Sequence, residues 1–403
     1  MTQKAHLHPT DLRGFSRLAI DATIGLTRLV ENMHHNISRT PGPVGRHSKA
    51  PTTGITGMVY RTIQGTTRLV GSGIDALLGQ LIPLLDRQPA ASSAAREALL
   101  AALNGVLGDH LEASANPLAI PMQMRHKGRP LAMTAAGLAS EFPAAGGRIL
   151  LLVHGLCMND LQWRRNGHDH GAALAQACGN TPLYLHYNSG RHVSSNGHDL
   201  DRLLETLMAA WPVPIEELAI VGHSMGGLVA RSACQSGAKA GHAWLARLRR
   251  MVFLGTPHLG APLERGGHWI DVILGVSPYT AALARLGKIR SAGITDLRHG
   301  SILDEDWDHG DRYAHGRAPR LVPLPADVLC HAAGATLAKA PGKVADSLLG
   351  DGLVPLKSAL GDGTARRGSL DIPVSQRWIG HGMNHMDLLD NAAVYEQLRR
   401  WLC

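Results

Sequence analysis

The stretch Ala219-Ile220-Val221-Gly222-His223-Ser224-Met225-Gly226-Gly227-Leu228-Val229-Ala230 decides how this chain folds. Ile220 and Val221 are β-branched and apolar, the composition of a strand buried on both faces. Gly227 to Ala230 continues in helical composition. Between them lies Gly-x-Ser-x-Gly, a sharp turn with a serine at its tip. Gly222 and Gly226 carry no Cβ, so the strand and the helix can approach closely around that turn. A glycine-rich turn arising by chance is the competing reading. The strand before it and the helix after it favour a strained elbow that lifts the serine hydroxyl above a sheet.

Outward from the elbow, strands and helices alternate. Arg148 to Val153 predicts a continuous apolar strand, Asp169 to Cys178 a helix, Pro182 to Tyr187 a strand and Gly197 to Trp211 a helix. Met251 to Leu254, Asp327 to Cys330 and Arg377 to Ile379 predict later strands, and Met386 to Leu402 a final helix. The alternation implies an α/β fold, a mostly parallel sheet with helices on both faces. Residues 262–320 interrupt it with helical and loop sequence. This insertion reads as a mobile cap over an apolar pocket, carrying Trp269, Ile270, Val272, Ile273 and Leu274.

The first part of the chain differs. Asp11 to Ile37 places its apolar residues on one helical face, residues 38–57 read as a Pro-, Gly- and Ser-rich linker, and Met58 to Leu85 is a second helical segment. Gly25 to Val30 and Gly65 to Val70 echo one another. Ala94 to Leu111 predicts a third helix. We therefore divide the chain into a helical N-terminal module, 1–145, and a catalytic domain, 146–403. The module reads as a helical extension docked on the catalytic body. The competing reading is a lipid-surface contact, with Arg13, Arg17, Arg28, Arg61 and Arg68 set beside apolar faces.

At 403 residues and 44% hydrophobic, the chain can bury a sizeable core. Its net charge of +8 suits an anionic surface. Nucleic acid is not expected as a partner, since no nucleic-acid motif and no dense Lys/Arg block is present. Cys157, Cys178, Cys234, Cys330 and Cys403 are odd in number and widely spaced. They show no metal-site or disulfide-framework spacing, so buried thiols are expected. The N-terminal residues carry no apolar signal core, and the best apolar run, Leu69 to Leu85, is interrupted by Asp75. These features predict a cytoplasmic protein with peripheral membrane contact at most.

A serine hydroxyl needs a base and an oriented acid to act as a nucleophile. In a strand–elbow–helix sheet the chain order is Ser, then Asp or Glu, then His. His385 follows the last strand and a glycine-bearing loop, which puts its imidazole at the top of the sheet; His381, in Gly380-His381-Gly382, is its rival. Asp351, in Gly350-Asp351-Gly352-Leu353-Val354-Pro355, is the acid candidate on its placement and on the apolar residues after it. Asp362 sits in a second Gly-Asp-Gly and reads as a solvated turn residue. A developing oxyanion needs two preorganised N–H donors, expected from Met225 and from Leu156 in the loop Val153-His154-Gly155-Leu156. His154 reads as a structural loop residue.

His154-Gly155-Leu156, Gly222-His223-Ser224-Met225-Gly226-Gly227, Gly255-Thr256-Pro257-His258-Leu259-Gly260 and Gly350-Asp351-Gly352 together resemble the lipase branch of the α/β-hydrolases. The likeness is nearest to GPI inositol-deacylase-like and lecithin–cholesterol acyltransferase-like lipases, and it covers residues 147–403. It implies carboxylic-ester hydrolysis by Ser224, Asp351 and His385 without fixing the substrate; the leading reading is a lipid-like ester cleaved through an acyl-enzyme, with no cofactor and no metal. Acyl transfer or amide hydrolysis by the same triad is the alternative, and a non-catalytic binding protein on this scaffold is a third. Weaker sites are His168-Asp169-His170, which lacks third and fourth zinc ligands, and the acidic run Asp304 to Asp311, which lacks EF-hand spacing and reads as a solvated loop. Asn188 to His192 lines a pocket mouth or is a plain βα loop.

Overall fold

A computed structural model describes residues 10–21, 24, 94–261, 291–307, 321–339, 350–363 and 368–403. The linker at 38–57, the helical segment at 58–85 and insertion residues 262–290 and 308–320 lie outside the described residues. Two compact units are present, Met1–Arg96 with Leu111–Ala119, and Glu97–His110 with Ile120–Cys403. The smaller unit is helical over residues 10–21. Within it Arg96 donates to both oxygens of Asp11 at 2.6 Å, and Asn116 Nδ2 donates to Gly14 O at 3.1 Å.

The larger unit is built on one sheet. Its strands are β1 (Gln123–His126), β2 (Arg129–Pro130), β3 (Arg148–Val153), β6 (Thr181–His186), β7 (Glu217–His223), β8 (Leu248–Leu254), β9 (Leu329–Thr336) and β10 (Arg377–His381). A separate two-stranded ladder joins β4 (Arg164–Arg165) to β5 (His168–Asp169). The spatial order is β10-β9-β8-β7-β3-β6-β1-β2. From β6 to β10 every pairing is parallel, and β1 is antiparallel to both β2 and β6. β1 and β2 fall in residues that read as helical module, so the boundary expected at 146 lies inside this unit. Gln123-Met124-Arg125-His126 is too short and too polar to display a strand period.

The helices are α1 (Ala94–Ala113), α2 (Ala135–Glu141), α3 (His170–Cys178), α4 (Val193–Ala210), α5 (Met225–Ala240), α6 (Ala292–His299), α7 (Leu356–Ala359) and α8 (Ala392–Leu402). Alternate residues of each strand face opposite sides of the sheet. Ile149, Leu151, Val153, Ile220 and Phe253 pack with Leu200 and Leu204 of α4 and Leu228 and Val229 of α5. Leu150, Leu152, Val221 and Leu254 pack on the other side with Leu174 of α3 and Leu398 and Leu402 of α8. Burial on both faces is why β3 and β7 read as unbroken apolar runs.

Two expectations are corrected here. The last helix does not run unbroken from Met386. A 3₁₀ turn, His385–Leu389, comes first, and Asn391 then caps α8 by accepting from Ala393 N at 2.8 Å. Three cysteines are buried thiols, but Cys178 and Cys403 form a disulfide, their Cα atoms 5.2 Å apart. They lie 225 residues apart in sequence, and only the packing of α3 beside α8 brings them together. Among the described residues no helix is long and apolar enough to cross a membrane.

Candidate active site

Ser224 stands between β7 and α5 with φ 54° and ψ −124°. A non-glycine residue occupies that region only where surrounding structure enforces it. The enforcement is visible: Ser224 N donates to Leu254 O at 2.8 Å, and a Cβ on Gly226 would lie 2.2 Å from Val153 O. The elbow is thus pinned between the ends of β3 and β8.

His385 opens the 3₁₀ turn that follows β10. Its Nδ1 lies 2.6 Å from Asp351 Oδ2, and its backbone N donates to Asp351 O at 3.1 Å. A carboxylate accepts, so Nδ1 carries the proton and Nε2 is left as the basic nitrogen. Asp351 Oδ1 accepts from Leu353 N at 2.9 Å and Val354 N at 2.7 Å. Both side chains are buried, as a carboxylate this fully hydrogen-bonded can be. The imidazole lies against the tip of β8, where a Cβ on Gly255 would come within 2.9 Å of His385 Cε1. Gly255 follows the residue that binds Ser224 N, so the serine and the imidazole flank the same strand end.

The loop after β3 passes beside the serine, since a Cβ on Gly155 would lie 3.0 Å from Ser224 Cβ. Leu156 follows in that loop. Met225 opens α5, so its N–H belongs to the first helical turn, where no intrahelical carbonyl reaches it. Among the described residues neither N–H has an acceptor within the chain.

The rival residues sit elsewhere. Asp362 accepts from Arg377 Nη1 at 2.6 Å, and His381 closes β10 in register with Thr336. His154 is fully buried, its Nδ1 2.9 Å from Gly155 O and its ring stacked on Tyr187 at 4.3 Å. Burial lowers it to about 3, so it stays neutral.

The weaker candidates are held in structural bonds. His168 Nε2 meets His170 Nδ1 at 2.8 Å, and no group of three or more metal-ligating side chains occurs among the described residues. Asp304 pairs with His198, Glu305 accepts from Lys239, and Asp306 accepts from Ile302 N and Leu303 N; residues 308–311 of that run lie outside the described residues. Asn188 bonds Gly108 O and Gly190 N, and His192 bonds Asp296, so this loop is tied into the fold. Sequence reasoning gives no role to His223, whose Nε2 lies 3.3 Å from His385 O. Its only signal is its position inside the elbow motif.

Residues 144–320 match the family model described as a PGAP1-like alpha/beta domain. The chain has an α/β-hydrolase-type fold. The match covers the elbow and the loop after β3 and stops short of Asp351 and His385. Among solved structures, the mature Bacillus licheniformis lipase BlEst2 is similar at 15% identity and a TM-score of 0.41, over 69% of this chain and 98% of that one. Aspergillus fumigatus lipase B is 11% identical with a TM-score of 0.38, over 97% of this chain and 84% of that one. EstA from Clostridium botulinum is 13% identical with a TM-score of 0.36, over 64% of this chain and 87% of that one. No match was found among curated proteins.

Proposed function

We propose that this hydrolase cleaves carboxylic esters of lipid-like substrates through an acyl-enzyme on Ser224. The observation that carries the reading is the buried 2.6 Å hydrogen bond between His385 Nδ1 and Asp351, set against the strand end that also anchors the elbow. In this reading His385 Nε2 takes the serine proton as Oγ adds to the ester carbonyl. Asp351 holds the imidazole in the right tautomer and stabilises the imidazolium that forms. The Leu156 and Met225 N–H groups receive the oxyanion. The tetrahedral adduct collapses, the C–O bond breaks and the alcohol leaves with the proton from His385. Water then gives its proton to His385 as it attacks the acyl carbonyl, and a second collapse releases the acid and restores Ser224. The lipid-like class rests on the motif likeness to the lipase branch.

The test uses p-nitrophenyl esters of graded chain length and a fluorophosphonate label on the full chain. Wild type should be labelled and should turn over. Ser224→Ala should fold, take no label and lose several orders of magnitude in rate. Retention of more than roughly a tenth of the wild-type rate would remove Ser224 from the mechanism. Absence of both label and turnover in wild type would leave a binding protein on this scaffold. Competition between water and an added alcohol separates hydrolysis from acyl transfer.

A further inference from the structure

We propose that His223, the residue before the serine, is a positioning residue for His385, acting through the backbone of the turn that presents the base. The proposal rests on the roles given above to Ser224, Asp351 and His385. His223 Nε2 lies 3.3 Å from the carbonyl oxygen of His385. A carbonyl only accepts, so Nε2 bears the proton and Nδ1 is bare. Among the described residues Nδ1 has no hydrogen-bond partner. The two rings lie 4.7 Å apart, tilted by 45°, and His223 also makes a T-shaped contact with Trp163, ring centroids 6.3 Å apart. A Cβ on Gly155 would lie 3.2 Å from His223 Nδ1. One side chain therefore touches the oxyanion loop, follows directly from the elbow strand, and holds the backbone of the base.

The state of the ring supports this use. His223 is buried, and burial, with the neighbouring His385 next, holds it far below the ordinary histidine range. It stays neutral beside His385 and offers one fixed donor. A lysine or arginine there would place a positive charge beside an imidazolium.

A second imidazole grips the same turn. His170 Nε2 lies 3.2 Å from Leu388 O, and its Nδ1 faces His168 Nε2 at 2.8 Å. His170 is also buried, and burial lowers it to about 4. A 3₁₀ turn of five residues leaves most of its carbonyls without internal partners. Here two are taken by neutral imidazoles, and the first N–H is taken by Asp351 O. The position of the base relative to the serine thus depends on bonds to the turn's backbone as well as on the carboxylate at its ring. His223 is the shortest such route, since it is bonded covalently to Ser224.

Three variants of the full chain test this on a soluble short-chain ester. In His223→Leu the donor is gone and the volume is roughly kept. In His223→Gln an amide N–H reaches the place of Nε2; in His223→Asn the amide falls short of it. His223→Leu should lose about 10–100-fold in kcat with KM held within about twofold, because a small misplacement of the base acts on the transition state alone. His223→Gln should recover to within about threefold of wild type, and His223→Asn should resemble His223→Leu. Wild-type kcat in His223→Leu, equal losses in the Leu and Gln variants, or a change confined to KM would each overturn the proposal. If His223→Leu does not fold, the Gln and Asn variants decide: Gln above Asn supports it, and equality overturns it. Ser224→Ala runs alongside. If that variant turns over like wild type, the triad reading fails and this proposal falls with it. If Ser224→Ala is inactive while His223→Leu is unaffected, only the positioning role is lost.

Discussion

Gly350-Asp351-Gly352 and Gly361-Asp362-Gly363 repeat one tripeptide on either side of α7. Asp351 is 2% exposed, and its oxygens accept from Leu353 N, Val354 N and His385 Nδ1. The Asp362 side chain is 39% exposed and faces Arg377. The residues that follow make the difference. Leu353 and Val354 pack with Ala261 and Ala359 in a small apolar cluster, which draws the first turn inward. A carboxylate carried inside has to find donors, and the turn's own N–H groups and His385 provide them. The second turn is followed in sequence by Thr364, Ala365, Arg366 and Arg367, among which there is no large apolar side chain. A local motif sets the shape of a turn, and its flanks decide whether the aspartate works in the interior or at the surface.

The hardest test of that contrast exchanges each aspartate for asparagine. Asp351→Asn should lower kcat by about 10⁴-fold with the fold retained, because an amide that donates toward Nδ1 favours the wrong imidazole tautomer. Added to Ser224→Ala it should change little, since the triad acts as a unit. Steady-state kinetics on a soluble ester measure both. A mild Asp351→Asn would place the acid elsewhere.

The interior side of the contrast also predicts sensitivity to acid. His154 and His170 are held by burial at about 3 and about 4, against an ordinary 6.5, and His331 is lowered to about 4 by burial and by Arg250. The unfolded chain therefore binds more protons than the folded one below 6.5. The stability these groups provide is complete above that value and is lost as pH falls toward 4. Each should remove up to about 1.4 kcal/mol per pH unit across that window. Urea unfolding between about pH 7 and pH 4.5 measures the slope. A flat profile would mean that these rings take up protons freely in the fold.

Much of the fold and the residues of the candidate site are legible in the sequence, and the legible parts share a cause. The elbow, β3 and β7 announce themselves locally, as apolar runs bounded by glycines. His385 and Asp351 can be chosen on chain order and flanking residues, and the two are hydrogen-bonded in the fold. What stays hidden depends on tertiary contact. β1 is strand only because β6 offers it an edge. The break before α8 reflects Asn384 and Asn391 capping successive short elements, where the apolar pattern alone runs on. The His223 bond to His385 O spans 162 residues and has no period or spacing that could reveal it.

The disulfide belongs with the hidden features and gives the next prediction in size. It ties the end of α3 to the end of α8, the helix that follows the His385 turn. Reduction, or Cys178→Ser, should lower unfolding free energy by about 2–4 kcal/mol, because a bridge closing a long loop chiefly restricts the unfolded chain. Turnover of a soluble ester below the transition should hold, since His385 is fixed by Asp351, His223 and His170, well before Cys403 in the chain. Parallel melts and assays with and without reductant decide this. A fall in kcat without a fall in stability would make the bridge part of how the base is placed.

The smallest expected effect falls on the second aspartate. Asp362 meets Arg377 at 2.6 Å, but the pair is partly open to water, with side-chain exposures of 20% for Arg377 and 39% for Asp362. Pairs of this kind contribute about 0–1 kcal/mol, since water solvates both ends when they part. Arg377 also keeps a second hold, its Nε donating to Ile372 O at 2.7 Å, so β10 does not depend on the aspartate. Asp362→Asn should therefore leave kcat and KM within about twofold of wild type and shift unfolding free energy by less than about 1 kcal/mol, with the difference shrinking further in high salt. A larger loss of stability would show that the second turn anchors the sheet edge. A large loss of turnover would do more: it would place Asp362, and not its buried twin, in the chemistry, and the rule that flanking residues assign the role of the turn would fail in the one chain where both copies can be compared.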